Sequence, residues 1–157
     1  MTYTRANAGG LKLTQEVVDK LATFRQIGAS DPEAGGMLLG RLIECNTDVV
    51  LDEITVPHKK DRWGRFFFWR DRKDAQSHVD SAWESSGKVR VYLGEWHTHP
   101  EEEPTPSQQD IRNWHSISTK AVYEQDFLFF IIVGINRIRV WELEKRTRAL
   151  VELQTSG

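Results

Sequence analysis

Cysteine is almost missing from this sequence. The single one, Cys45, excludes an internal disulfide framework and any Cys-x-x-Cys zinc site, so a metal held here depends on His and carboxylate ligands. Cys45 itself stands at an apolar-to-polar transition and reads as a small core or strand-end residue. An excess of positive charge is missing too. With 21 Lys and Arg against 23 Asp and Glu, the net charge is -2, which gives a nucleic-acid backbone no broad basic face. Long apolar runs are also absent. Residues 1–10 lack the hydrophobic stretch of a signal peptide, and no segment approaches the roughly 18 apolar residues that suggest a membrane span. A soluble, cytoplasmic protein is therefore expected, with neither nucleic acid nor membrane as partner. Without an internal repeat or a low-complexity linker, residues 1–157 read as one domain. A chain of that length buries roughly two-thirds of the surface that it exposes when unfolded.

The hydrophobic pattern alternates between helical and strand periods. Thr14 can cap a helix that carries Val17, Val18, Leu21 and Phe24 on one face and ends at Gly28. Residues 35–43 and 49–56 are apolar, of strand length, and separated by Asn46-Thr47-Asp48 as in a hairpin. A segment of mixed character follows over 57–70, with Lys59, Lys60, Arg62 and Arg65 beside Trp63 and Phe66 to Trp69. It reads either as a surface for an acidic partner or as an edge strand with solvated cations. The spacing of Ala75, His78, Val79, Ala82 and Trp83 predicts an amphipathic helix over about 71–86, stopped by Gly87, with His78 as a hydrogen-bonded core histidine. Residues 89–96 form a buried strand leading directly into His97-Thr98-His99-Pro100. Ser107 then caps a third helix with Ile111, Trp114, His115 and Ser118 facing inward. Strands over 127–133, 137–143 and 149–153 complete an α/β fold, a mixed sheet sandwiched by helices.

His97 and His99 stand two apart at a strand end, so both imidazoles lie on one side of the extended chain, about 6–7 Å apart along it. Asp110 falls at the third position of the helix capped by Ser107, where the helix dipole favours the ionised carboxylate that a metal requires. Two His and one carboxylate leave a tetrahedral position open, the arrangement of a catalytic zinc site rather than a structural one. Each part has a plainer explanation alone. Ser107-x-x-Asp110 is also a capping box worth about 1 kcal/mol, and His-x-His by itself says little. Glu33, beside Pro32 at a strand entrance, reads alone as a surface charge.

Together, His97-Thr98-His99-Pro100, six further residues and Ser107-Gln108-Gln109-Asp110 resemble the motif of the JAMM (JAB/MPN) metallopeptidases. Glu33 in Glu33-Ala34-Gly35-Gly36-Met37-Leu38-Leu39-Gly40 matches that family's upstream catalytic glutamate. The resemblance runs in element order from about Leu11 to Leu143, although only these two motifs are specific. It implies an MPN/JAB-like, cytidine-deaminase-like architecture with Zn2+ held by His97, His99 and Asp110. It further implies Glu33 as general base and later proton donor to the leaving amine, and Ser107 as hydrogen-bond donor to the oxyanion.

Gly94-Glu95-Trp96 and the loop from Glu101 to Pro106 are similar to compact bacterial JAB proteins encoded beside E1- and E2-like proteins, and most to the deconjugating peptidases of CBASS antiphage operons. The implied substrate is a protein with an extended C-terminal tail, either a conjugated cyclic-oligonucleotide synthase or a ubiquitin-like protein. Alternatives are a peptidase that processes a ubiquitin-like or sulfur-carrier protein, and a non-catalytic MPN-like binding module. A zinc deaminase would need a Pro-Cys-x-x-Cys pair, which one cysteine cannot supply. A nucleic-acid-stacking protein built on Trp63 to Trp69 conflicts with the charge balance.

Overall fold

The computed structural model describes residues 1–6, 9–57, 62–64, 67–69 and 72–156. Its strands and helices, in chain order, are β1 (Thr2–Thr4), β2 (Gly10–Leu13), α1 (Gln15–Ala22), β3 (Gly35–Leu42), β4 (Val49–Ile54), β5 (Arg62–Gly64), β6 (Phe67–Trp69), α2 (Arg72–Ser85), β7 (Val91–Thr98), α3 (Gln108–Lys120), β8 (Phe127–Val133), β9 (Ile138–Glu144) and β10 (Leu150–Thr155). Strands β1-β10-β9-β8-β7-β3-β4-β2 close into a barrel, while β5 and β6 form a separate hairpin. The barrel is mixed, with β7–β8 and β2–β4 parallel and the other pairs antiparallel. The fold is thus the expected mixed α/β arrangement. Closure of the sheet is the part that periodicity did not reveal.

The parallel β7–β8 pair requires a crossover, and α3 supplies it. Strand β8, Phe-Leu-Phe-Phe-Ile-Ile-Val, is buried almost throughout because both of its faces are covered. Phe129, Ile131 and Val133 join one core with Leu38, Leu93, Trp96 and the α1 residues Val17 and Leu21. Leu128, Phe130 and Ile132 alternate to a second core with Trp114 of α3 and Trp141 and Leu143 of β9. Trp114 stacks on Phe130 with ring centroids 4.8 Å apart and fixes α3 against the sheet. That contact holds the N-terminus of α3 near the end of β7.

Four expectations change. Helix α1 starts after Thr14 as expected, but it ends at Ala22 with Thr23 as its cap. Thr23 closes the last turn by bonding through its backbone and hydroxyl to the Lys20 carbonyl, and Gly28 instead donates to Asp31 Oδ2 in a later turn. Cys45 is exposed in the turn between β3 and β4 rather than at a strand end in the core. His78 is exposed on α2, so it is not a core histidine. In the 57–70 segment, β5 and β6 pair Arg62 with Trp69, which supports the strand reading in part; Lys59, Lys60, Arg65 and Phe66 lie outside the described residues.

Candidate metal and catalytic site

Alternation along β7 sends Trp96 and Thr98 into the core and leaves His97 and His99 on the opposite side. His97 pairs with Gly35 of β3 and Ile132 of β8, and the His99 amide extends the ladder by donating to the Val133 carbonyl at 3.0 Å. The two imidazoles meet with Nε2 atoms 3.0 Å apart. Trp114 stands behind His97 at 6.2 Å between ring centroids.

The carboxylate arrives from α3. Ser107 and Asp110 form the complete capping box: the Asp110 amide donates to Ser107 Oγ at 3.1 Å, and the Ser107 amide donates to Asp110 Oδ2 at 2.7 Å. The Ser107 hydroxyl also donates to Oδ2, at 2.6 Å. Asp110 therefore caps its helix and still turns its oxygens to the histidines, with Oδ1 3.4 Å from His97 Nε2 and Oδ2 3.4 Å from His99 Nε2. Donors arranged tetrahedrally around zinc at about 2.0–2.1 Å stand about 3.3 Å from one another. The 3.0 Å between the imidazole nitrogens and the 3.4 Å from each ring to the carboxylate oxygen that faces it lie near that figure, so these residues fit a zinc-sized ion.

The loop that joins the two halves of the site is held against the β8–β9 turn. The backbone carbonyls of Glu101 and Glu102 accept from the amides of Ile135 and Asn136 at 2.7 and 3.2 Å. Arg139 donates to the Pro104 carbonyl at 2.9 Å while gripping Glu152 through two nitrogens. Gly134 passes so close to Pro104 that a Cβ would lie 2.4 Å from its ring. A side chain at that position would push the loop away.

Glu33 enters from the segment before β3. It is only 8% exposed, and Glu33, His97 and His99 each offer a ligand atom within 4.8 Å of the other two. Gly36 lets this strand lie against its neighbours, since a Cβ there would sit 2.2 Å from the Thr55 carbonyl and 2.7 Å from Trp96 Nε1. Burial raises the Glu33 carboxyl to about 7, and Asp110 adds to that while His99 opposes it. Burial likewise lowers His97 to about 4, against the pull of Asp110, and keeps it neutral, the form in which an imidazole can bind a metal. Burial pushes His99 down as well, but Asp110, by hydrogen bond and charge, holds it above its ordinary value. For Asp110 burial is outweighed by the His99 hydrogen bond, the electrostatic pull of the His97 ring and the bonds to Ser107, so it falls below the usual carboxylate range.

All five residues singled out from the sequence therefore meet at one place. No local pattern marks Gln26, buried nearby and bonded to Thr98; a polar residue just past a helix end carries no spacing signal. His115 stays on α3 with its Nδ1 buried, outside the cluster.

The mixed barrel gathers two histidines and two carboxylates at the end of one strand, a donor set that could hold a metal ion. The chain belongs to the prokaryotic homologs of the JAB domain, a family that matches residues 14–144, and so is a JAMM-type hydrolase. It is 34% identical over 135 residues to a CD-NTase/cGAS isopeptidase of Vibrio cholerae, covering 86% of this chain and 81% of the relative. A CD-NTase/cGAS isopeptidase of Pseudomonas aeruginosa is 37% identical over 123 residues, 76% of each chain. A probable metalloprotease of Sinorhizobium fredii is 36% identical over 83 residues, 52% of this chain and 50% of that protein. Among solved structures, that of a Desulfitobacterium hafniense protein in solution shares the fold at a TM-score of 0.59 and 20% identity, covering 90% of this chain and 88% of the other.

Proposed function

We propose that this chain, acting as one domain in the cytoplasm, is a zinc-dependent isopeptidase that releases a conjugated protein from its target. The substrate proposed is a cyclic-oligonucleotide synthase joined through its C-terminal tail, which places the enzyme in antiphage defence beside E1- and E2-like partners. The observation that carries the reading is the meeting of Glu33 with His97, His99 and Asp110. Isopeptidase relatives that cover most of the chain support the substrate class.

His97, His99 and Asp110 would hold the ion. Bound there, zinc would polarise the scissile carbonyl and lower the pKa of water to about 7. Glu33, buried and within reach of both histidines, takes a proton from the attacking water. It then passes that proton to the leaving amine, which cannot depart as an anion. The Ser107 hydroxyl turns from Asp110 Oδ2 to the carbonyl oxygen and donates to the oxyanion as charge develops. Asp110 keeps its second bond from the Ser107 backbone amide during this turn, so the cap survives.

The test uses a reporter fused to the C-terminal tail of such a synthase, with a ubiquitin-like tail as a second probe. Zinc-loaded wild type cleaves the synthase fusion, whereas Glu33→Gln and chelated wild type do not. Wild type that carries one zinc yet cuts only the ubiquitin-like tail overturns the substrate. Wild type that binds no zinc overturns the whole reading.

A further inference from the structure

Residues 23–34, between α1 and β3, contain neither helix nor strand, yet they deliver Glu33 to the candidate site. A segment without a backbone ladder needs other partners for its polar groups. Two buried side chains supply them. Thr98, fully buried between His97 and His99, accepts from the Ala34 amide at 2.9 Å through Oγ1, and its own amide donates to the Ala34 carbonyl at 2.9 Å. The Thr98 hydroxyl donates onward to Gln26 Oε1 at 2.9 Å, and Gln26 Nε2 donates to the Asp31 carbonyl at 3.0 Å. Glu33 is thereby tied on both sides, two residues before it through Asp31 and one residue after it through Ala34.

We infer that Gln26, acting through Thr98, is a positioning residue that holds the Glu33 carboxylate in register with His97 and His99. A glutamine at 1% exposure costs desolvation that a leucine would avoid. What the amide provides is a fixed distance between two segments, because a fully satisfied polar network permits one arrangement where apolar packing permits several. Thr98 belongs to the strand that carries both histidines. One hydroxyl thus couples the strand of the proposed ligands to the segment of the proposed base, and a shift in either moves the other. The inference rests on the reading of Glu33 as general base.

The test compares Gln26→Leu and Thr98→Val, which keep volume and remove the bonds, with Thr98→Ser, which keeps the hydroxyl. The first readout is hydrogen exchange of the Ala34 amide in the whole protein, independent of any substrate. Ala34 protection falls at least about tenfold in Gln26→Leu and Thr98→Val, while the Phe130 and Ile131 amides of β8 and the bound zinc equivalent stay as in wild type. Thr98→Ser restores Ala34 protection. The second readout is turnover of the cleaved tail fusion. A displacement of about 1 Å at a reacting group costs about a hundredfold, so kcat falls by that order in Gln26→Leu with KM within about twofold. In a Glu33→Gln background Gln26→Leu adds no further loss, because a residue acting through Glu33 has nothing left to position. Unchanged Ala34 exchange in Gln26→Leu, or an additive loss in the double variant, overturns the inference. Full activity of Glu33→Gln alone instead overturns the reading of Glu33 and leaves the exchange result to decide whether the tether exists.

Discussion

Among the described residues two glutamates are buried, and they are treated in opposite ways. Glu142 of β9, 4% exposed, faces Arg5, whose guanidinium donates to both of its oxygens, at 2.6 and 3.3 Å. Arg5 also donates to the Thr47 carbonyl at 2.7 Å and lies 3.9 Å over the Phe127 ring. Glu33 is nearly as buried, but among the described residues no Lys or Arg pairs with it, and its carboxyl is pushed up to about 7. One buried carboxylate is neutralised so that the barrel can close around it. The other has no Lys or Arg partner among the described residues, and in the metal-free protein its burial destabilises the charged form.

The sharpest way to test this contrast is to remove each charge. Glu33→Gln lowers kcat by about a thousandfold, within the range of a lost general base, while metal analysis still finds one zinc per chain. Glu142→Gln leaves kcat of the folded protein unchanged but lowers stability by about 3 kcal/mol in urea unfolding, because the buried Arg5 is left uncompensated. A loss of activity in the second variant at full folding would erase the distinction.

A smaller effect is the pH dependence that Glu33 confers. The folded pKa of Glu33, about 7, lies above its unfolded value near 4.5. Its contribution to stability is therefore complete below about pH 4.5 and is lost as pH rises toward 7. Metal-free Glu33→Gln is thus more stable than metal-free wild type by about 2 kcal/mol at pH 8, and the two converge at pH 4 in paired unfolding curves. The smallest effect concerns His99, which Asp110 holds above its ordinary value. Protonated His99 must lose its proton to become a ligand, so zinc affinity measured by competition falls about tenfold for each pH unit below that pKa.

Much of the site was legible because its chemistry is local. His97, Thr98, His99 and the Ser107 cap are set by strand alternation and one helix turn, and both periods are written in the sequence. The β3–β4 hairpin was legible for the same reason. Strands β1 and β2 were not, since three and four residues carry too little alternation to register. The Arg5–Glu142 pair joins positions 137 residues apart, and no local pattern marks it. Gln26 fails similarly: its partner Thr98 is 72 residues away. His78 misled because helical spacing places a residue on a face without saying what covers that face.

The way the barrel closes has a consequence for synthesis. Strand β1 is hydrogen-bonded on one side to β2 and on the other to β10, residues 150–155. As the chain emerges from the ribosome, β1 and β9 therefore wait with bare edges until the last strand is made, and each exposed edge is a template on which another nascent chain could pair. The helix and hairpin elements can form early, but the seam that seals the barrel closes only once residues 150–155 have been made. A nascent chain stalled before Leu150 would keep both edges open, even though every residue of the candidate site had already been made.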